Sequence, residues 1–190
     1  MSEAFQIETE RLLLRSWKDE DLDPFAEMCA DRDVMRYFPD VWPRERAALL
    51  ISKSEAQLKT EGFFLSAVDV KATGEFIGFV GLNRPSYAKP LPFDPCVEIG
   101  WRLKRSVWGK GYASEAAVEW LRFGFETVGL EEIVSFTIPA NVPSQRVMEK
   151  IGMVRDREGD FLHPTLPADH PVAPHVLYRL KRADWLARSR

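Results

Sequence analysis

Between Trp108 and Ala116 the chain reads WGKGYASEA, two glycines set around a lysine and followed by small residues. Gly109 and Gly111 form a turn, and Ala113, Ala116, Ala117, Trp120, Leu121 and Gly124 continue at helical spacing to about Thr127. Glycines let a ligand approach the backbone without a Cβ clash, while the free N–H groups and positive dipole end of a helix favour an anion. The chemistry suggested is phosphate binding. Upstream, CVEIGWRL alternates with period two, placing Val97, Ile99, Trp101 and Leu103 on one face and Glu98, Gly100 and Arg102 on the other. The first set reads as core. The second pairs a carboxylate with a glycine gap, and either faces water or lines a cleft. Downstream, ANVPSQRVMEKIGM offers Asn141 as a helix cap, Pro143 in the first turn and Ser144 one turn on from the cap. Val147, Met148 and Ile151 supply its apolar face, and Gly152 ends it.

The elements that must position these residues follow from order alone. CVEIGWRL, the glycine turn, the helix and the strand EEIVSFTIP form a βαβ unit, so the two strands run parallel, with the helix start at their carboxyl ends. A second helix start, at Asn141, follows the second strand. Three readings of the glycine turn compete. A P-loop needs a Ser or Thr after its lysine, where Gly111 stands here; a dinucleotide fingerprint needs a third glycine, where Ser114 stands. The plain reading is a tight turn with no ligand, as a helix cap is the plain reading of Asn141. The pairing of two such helix starts is more specific than either alone.

Elsewhere TERLLLRSW reads as a first strand with Arg11 and Arg15 bracketing its apolar run, and Asp19 caps a helix carrying Leu22, Phe25, Ala26 and Cys29. Pro43 opens a helix over Arg44 to Leu58. FFLSAVDV and EFIGFVGL flank the Ala72-Thr73-Gly74 turn as a hairpin whose second strand is apolar on both faces, hence central. With 190 residues, 45% of them hydrophobic, the expectation is one domain over residues 1–190. A net charge of −3 supplies no field to gather nucleic acid or an anionic membrane, so neither is an expected partner. Cys29 and Cys96 lie far apart without paired spacing, and no apolar run is long enough to cross a bilayer, which reads as a soluble cytoplasmic protein.

TERLLLR, GEFIGFVGL, VEIGWRL, WGKGYASEA and NVPSQRVMEKIGM together resemble the GNAT acyl-CoA N-acetyltransferases, and within them the RimJ/RimL-like branch that includes ribosomal-protein N-terminal acetyltransferases. The resemblance covers nearly the whole chain. It implies an α/β fold with a mixed, mostly antiparallel sheet and acetyl-CoA as cosubstrate, without a metal. The pyrophosphate loop of the superfamily, Q/R-x-x-G-x-G/A, corresponds to Trp108, Gly109, Lys110, Gly111, Tyr112 and Ala113, with Trp108 where Gln or Arg is usual. Backbone groups of Trp101, Arg102 and Leu103 would hold the pantetheine, and one N–H there would polarise the thioester carbonyl. Asn141 and Ser144 stand at the second helix start. Lys104, Arg105, Lys110 and Arg146 are the cations available to the nucleotide phosphates, Lys110 being preferred, although each also reads as a solvated surface charge.

The implied reaction acetylates a primary amine, a peptide or protein N-terminal α-amine or a small amine such as an antibiotic, polyamine or amino acid. An α-amine has a pKa of about 8, so a proton must leave before attack. Glu98 is the candidate base, acting directly or through water, with His175 as competitor; Ser144 would hydrogen-bond the departing thiolate. A CoA-binding module without turnover is the reading from another class. His163, His170 and His175 all fall in FLHPTLPADHPVAPHVLYRL, with two followed by proline and no carboxylate or cysteine pattern to complete a metal site. In the family's fold this His-Pro loop borders the acceptor groove, where Trp42, Arg84, Tyr87 and Asp169 are further candidates. Monomer and homodimer are both open, an exposed edge strand at the C-terminus being the feature that would allow pairing.

Overall fold

A computed structural model describes residues 5–188. The chain divides into two compact units, Met1–Asn83 with Gly100–Trp120, and Arg84–Ile99 with Leu121–Arg190.

In the first unit, β1 (Gln6–Glu8) pairs antiparallel with β2 (Leu12–Arg15), β2 with β3 (Leu65–Val70), and β3 with β4 (Glu75–Asn83). The strand expected in TERLLLRSW is β2, and β1 precedes it: Thr9 turns the chain between them, its backbone N–H donating to the Leu12 carbonyl at 2.9 Å. Helices α1 (Leu22–Ala30), α2 (Arg32–Met35) and α3 (Arg44–Glu61) connect β2 to β3. Asp19 does not cap α1; it opens a 3-10 turn, Asp19–Asp21, while buried Asp21 accepts from the Lys18 N–H at 2.8 Å. Pro43 precedes α3 as expected, but the helix runs past Leu58 to Glu61 and stops at Gly62, whose φ of 76° breaks it. Strand β4 is buried from Phe76 to Leu82, as its two apolar faces demand. The core gathers Leu12, Leu14, Phe64, Ile77 and Trp120, all fully buried. The Trp120 indole donates to Ser66 Oγ at 3.0 Å, so this large ring is enclosed without an unmet N–H.

In the second unit, β6 (Glu132–Thr137) pairs antiparallel with β8 (Pro174–Lys181), and β8 with β7 (Val154–Leu162). The C-terminal strand is therefore interior, and the edge here is β7, a strand whose mostly polar sequence masks its period. Helices α5 (Val142–Lys150) and α6 (Arg182–Arg188) belong to this unit. Two elements run from one unit into the other along the chain: β5 (Glu98–Leu103), and α4 (Tyr112–Arg122), which continues as a π-helical turn over Phe123–Val128 before Gly129 ends it. The strand order is β1-β2-β3-β4-β5-β6-β8-β7, and β5 and β6 are parallel, with Glu98 opposite Val134. This is the mixed, mostly antiparallel sheet expected from the sequence, with its βαβ unit formed by β5, α4 and β6.

Candidate active site

The glycine loop lies in the first unit. After β5 the Lys104 N–H donates to the Ile77 carbonyl at 2.8 Å, and a 3-10 turn, Arg105–Val107, leads to Trp108. The Trp108 indole donates to the Leu103 carbonyl at 2.9 Å, so this residue fastens the loop to the strand end. Gly109 and Gly111 both adopt left-handed backbone, with φ of 75° and 81°, conformations that side chains with a Cβ resist. A Cβ added at Gly109 would meet nothing within 4 Å, which leaves that face of the loop open. The first i→i−4 bond of α4 runs from the Glu115 N–H to the Gly111 carbonyl at 3.0 Å. The preceding N–H groups of the helix start therefore lack intrahelical acceptors and suit an anion. These residues fit a pyrophosphate.

Sequence reasoning missed what holds this loop. Arg11 Nε donates to Glu115 Oε2 at 2.7 Å, its backbone N–H to Oε1 at 2.8 Å, and its Nη1 to the Lys110 carbonyl at 3.0 Å. Its guanidinium also lies 4.6 Å from the Tyr112 ring centroid. Burial pushes the Glu115 carboxyl up, but hydrogen bonds from Thr9 and from Arg11 outweigh it and hold the group below its ordinary value. No local signal pairs residues so far apart. Of the cations proposed for phosphate, Lys104 is held by Glu75 at 3.2 Å and Arg105 by Asp33, whereas Lys110 is exposed on the loop itself.

Strand β5 departs from its expected alternation at two positions. Leu103 is buried as expected and Trp101 is half-buried, but Arg102, from the face assigned to water or a cleft, is only 6% exposed. Its guanidinium lies under the Trp42 and Phe38 rings, 4.0 and 4.3 Å from their centroids. Period two identifies a face and says nothing of what covers it. The Arg102 carbonyl approaches β4 so closely that a Cβ on Gly78 would stand 2.1 Å from it.

The second unit holds Glu98, half-buried at the start of β5, and the α5 turn. The Val134 N–H donates to the Val97 carbonyl and Ser135 Oγ to the Ile99 carbonyl, each at 2.9 Å, which fixes the backbone on both sides of Glu98. Asn141 caps α5: its Oδ1 accepts from the Ser144 N–H at 3.3 Å, and its Nδ2 donates to Thr137 Oγ1 at 2.9 Å. Its side chain is thus engaged in the turn, and Ser144 stands half-buried one turn along with Arg146 exposed beyond it.

Packing brings two of the three histidines together. His163 and His175 have ring centroids 5.0 Å apart, and Tyr87 stands edge-on to His163 at 4.8 Å. Burial lowers both imidazoles, His163 to about 4 with help from His175, so both are neutral at neutral pH. The His175 Nδ1–H donates to the Ala173 carbonyl at 3.0 Å, leaving Nε2 as its basic nitrogen. Burial, and then the charge of Glu98, raises the Tyr87 hydroxyl; burial and Asp94 push the Cys96 thiol up to about 12. His170 is separate and accepts from the Val172 N–H. Among the described residues, no group of three or more His, Cys, Asp or Glu is placed to hold a metal ion, and no helix is long and apolar enough to cross a membrane.

Comparison with known proteins agrees with this geometry. The uncharacterized N-acetyltransferase YnaD of Bacillus subtilis is 32% identical over 181 residues, 94% of this chain and 98% of that protein. The solved structure of a GNAT-family acetyltransferase from Bacillus anthracis is 30% identical, with a TM-score of 0.74 over 94% of this chain and 99% of that one. An acetyltransferase structure from Agrobacterium tumefaciens is also 30% identical, with a TM-score of 0.74 over 93% and 94%. The acetyltransferase (GNAT) domain family matches residues 11–154, the stretch that holds β5, the glycine loop and both helix starts, and the chain belongs to this family of acetyl-CoA-dependent N-acetyltransferases.

Proposed function

We propose that this enzyme acetylates the α-amine of a protein or peptide N-terminus, as the RimJ/RimL-like motifs imply. The observation that carries the acetyl-transfer part is the left-handed Gly109 and Gly111 pair at the start of α4, with open space where a Cβ on Gly109 would stand. Acetyl-CoA, when bound, supplies an activated thioester. The N–H groups from Gly109 to Ala113 bind its pyrophosphate, with Lys110 as the cation of the loop, while Asn141 holds the start of α5 for Ser144 and Arg146. Backbone groups of Trp101 to Leu103 align the pantetheine. Glu98 takes the ammonium proton, directly or through water, so that the amine lone pair can form the new N–C bond as the C–S bond breaks. His175 is the alternative base, because it is neutral and its Nε2 is unprotonated. Ser144 donates to the departing thiolate, and water completes its protonation.

Ribosomal-protein-S5-alanine acetyltransferase from Vibrio fischeri, at 22% identity, and spermidine N-acetyltransferase from Vibrio cholerae, at 18%, have the same fold. At that distance neither decides the acceptor. The test is thiol release from acetyl-CoA against N-terminal peptides and small amines, with calorimetric CoA binding in parallel. Release with peptides alone supports the proposal, and release with small amines alone replaces the acceptor. CoA binding without turnover on either panel makes the chain a binding module.

A further inference from the structure

The described residues include four buried charged side chains, Arg15, Asp21, Asp69 and Arg102. The first three pair with one another. Arg102 pairs with no carboxylate among the described residues. Its Nη1 donates to Cys29 Sγ at 3.3 Å, a weak acceptor, and its Nε has no hydrogen-bond partner. Trp42 packs against it, and the Trp42 indole N–H is likewise buried without a partner. A second guanidinium, Arg46, lies over the same indole at 4.4 Å. Two cations and two unmet donors therefore meet on one aromatic ring.

A guanidinium keeps its proton when buried, so its charge and its donors both persist. Folded chains meet such donors almost without exception, and the ones left unmet call for an explanation. We propose that Arg102 and the Trp42 indole N–H form a carboxylate-recognition site, which selects acetyl acceptors that bear a carboxylate. A carboxylate matches on three counts. Its single charge balances one buried guanidinium, its planar pair of oxygens suits the Arg fork, and an oxygen can also accept from the indole. Entry is from the side of Phe38, which is 38% exposed and belongs to the turn between α2 and α3. The word acceptor rests on the acetyl-transfer reading, but carboxylate binding as such does not.

The test uses the full chain and separates the two. Thermal melts at constant ionic strength compare acetate, succinate and glutarate with acetamide and succinamide. Carboxylates are expected to raise the Tm and amides to leave it unchanged. Arg102→Met should melt at or above the wild-type temperature and lose the carboxylate response. Trp42→Phe, which keeps the packing, should weaken that response several-fold, and Arg102→Lys should restore it only in part. Acceptor pairs then identify the source: peptides with Asp or Glu near the N-terminus against Asn or Gln, and free amino acids against their amides. At least a tenfold kcat/KM preference for one carboxylate member, collapsing in Arg102→Met, is expected. Carboxylate binding without turnover of any amine would retain the site and reject the acetyl-transfer reading. A wild-type protein indifferent to carboxylates in both assays would overturn the site.

Discussion

Arg15 and Arg102 are the same residue type in the same unit, buried to almost the same degree at 7% and 6% exposure, yet their surroundings are opposite. Arg15 donates through Nε and Nη2 to Asp69 at 2.6 and 2.8 Å, and through Nη1 and Nη2 to Asp21 at 2.6 and 2.8 Å. Burial alone would lower its proton affinity, but the two carboxylates more than reverse this. Arg102 has the same burial, no carboxylate and the repulsion of Arg46, and its proton affinity is lowered. A guanidinium whose donors are met inside the chain ties β2, β3 and the Asp19–Asp21 turn together; one whose donors are left unmet is available to something outside the chain.

The second unit shows a third solution. His163, His175, Tyr87 and Cys96 are all shifted by burial toward their uncharged forms. Groups that titrate near neutral pH can escape the cost of burial by losing charge, and arginine cannot.

The comparison is broken most strongly by Asp69→Ala, which would leave Arg15 partly unpaired, as Arg102 is. It is expected to cost about 3–5 kcal/mol in urea unfolding, the usual loss on removing one member of a buried pair. A loss below about 1 kcal/mol would mean that Asp21 alone suffices. Glu98→Gln tests the carboxylate of the second unit: kcat should fall by about 10²- to 10⁴-fold with acetyl-CoA affinity nearly unchanged, and an unchanged rate at every pH would remove Glu98 from the base role. Gly111→Val should weaken CoA binding by about 100-fold or more, because a β-branched side chain resists a left-handed backbone and blocks approach of the pyrophosphate. Wild-type affinity in a folded variant would sink the loop assignment.

Arg102→Met sharpens the contrast, since replacing an unpaired buried cation should change stability by no more than about 1 kcal/mol or even increase it. The smallest expected effect concerns pH. The folded His163 value of about 4 lies below the ordinary value of 6.5, so the unfolded chain binds more protons between these limits. Its contribution to stability is complete above the upper limit and is lost as pH falls through the lower one. His163→Leu should flatten the dependence of unfolding free energy on pH within that window, and an unchanged slope would show that the ring is hydrated.

Much of the fold was legible because it is local. The hairpin at Ala72-Thr73-Gly74, the Pro43 helix start, the glycine turn and the Asn141 cap each follow from a few neighbouring residues. The βαβ order followed from chain sequence and handedness. Strand β7 was not legible, because VRDREGDFL carries little of the hydrophobic alternation on which such readings depend. The edge of the second unit was consequently misplaced to the C-terminal strand.

What the sequence determined by itself was the set of conformations that single residues permit and the faces that periods define, enough to place a phosphate-suited turn before α4 and Glu98 at the start of β5. Tertiary structure decided the partners. It joined Arg11 to Glu115, surrounded Arg15 with Asp21 and Asp69, brought His163 to His175, and laid Phe38 and Trp42 over an arginine that period two had assigned to an open face. Backbone conformation is set by neighbours a few residues away, whereas the partner of a buried charge is set by which distant segments pack over it.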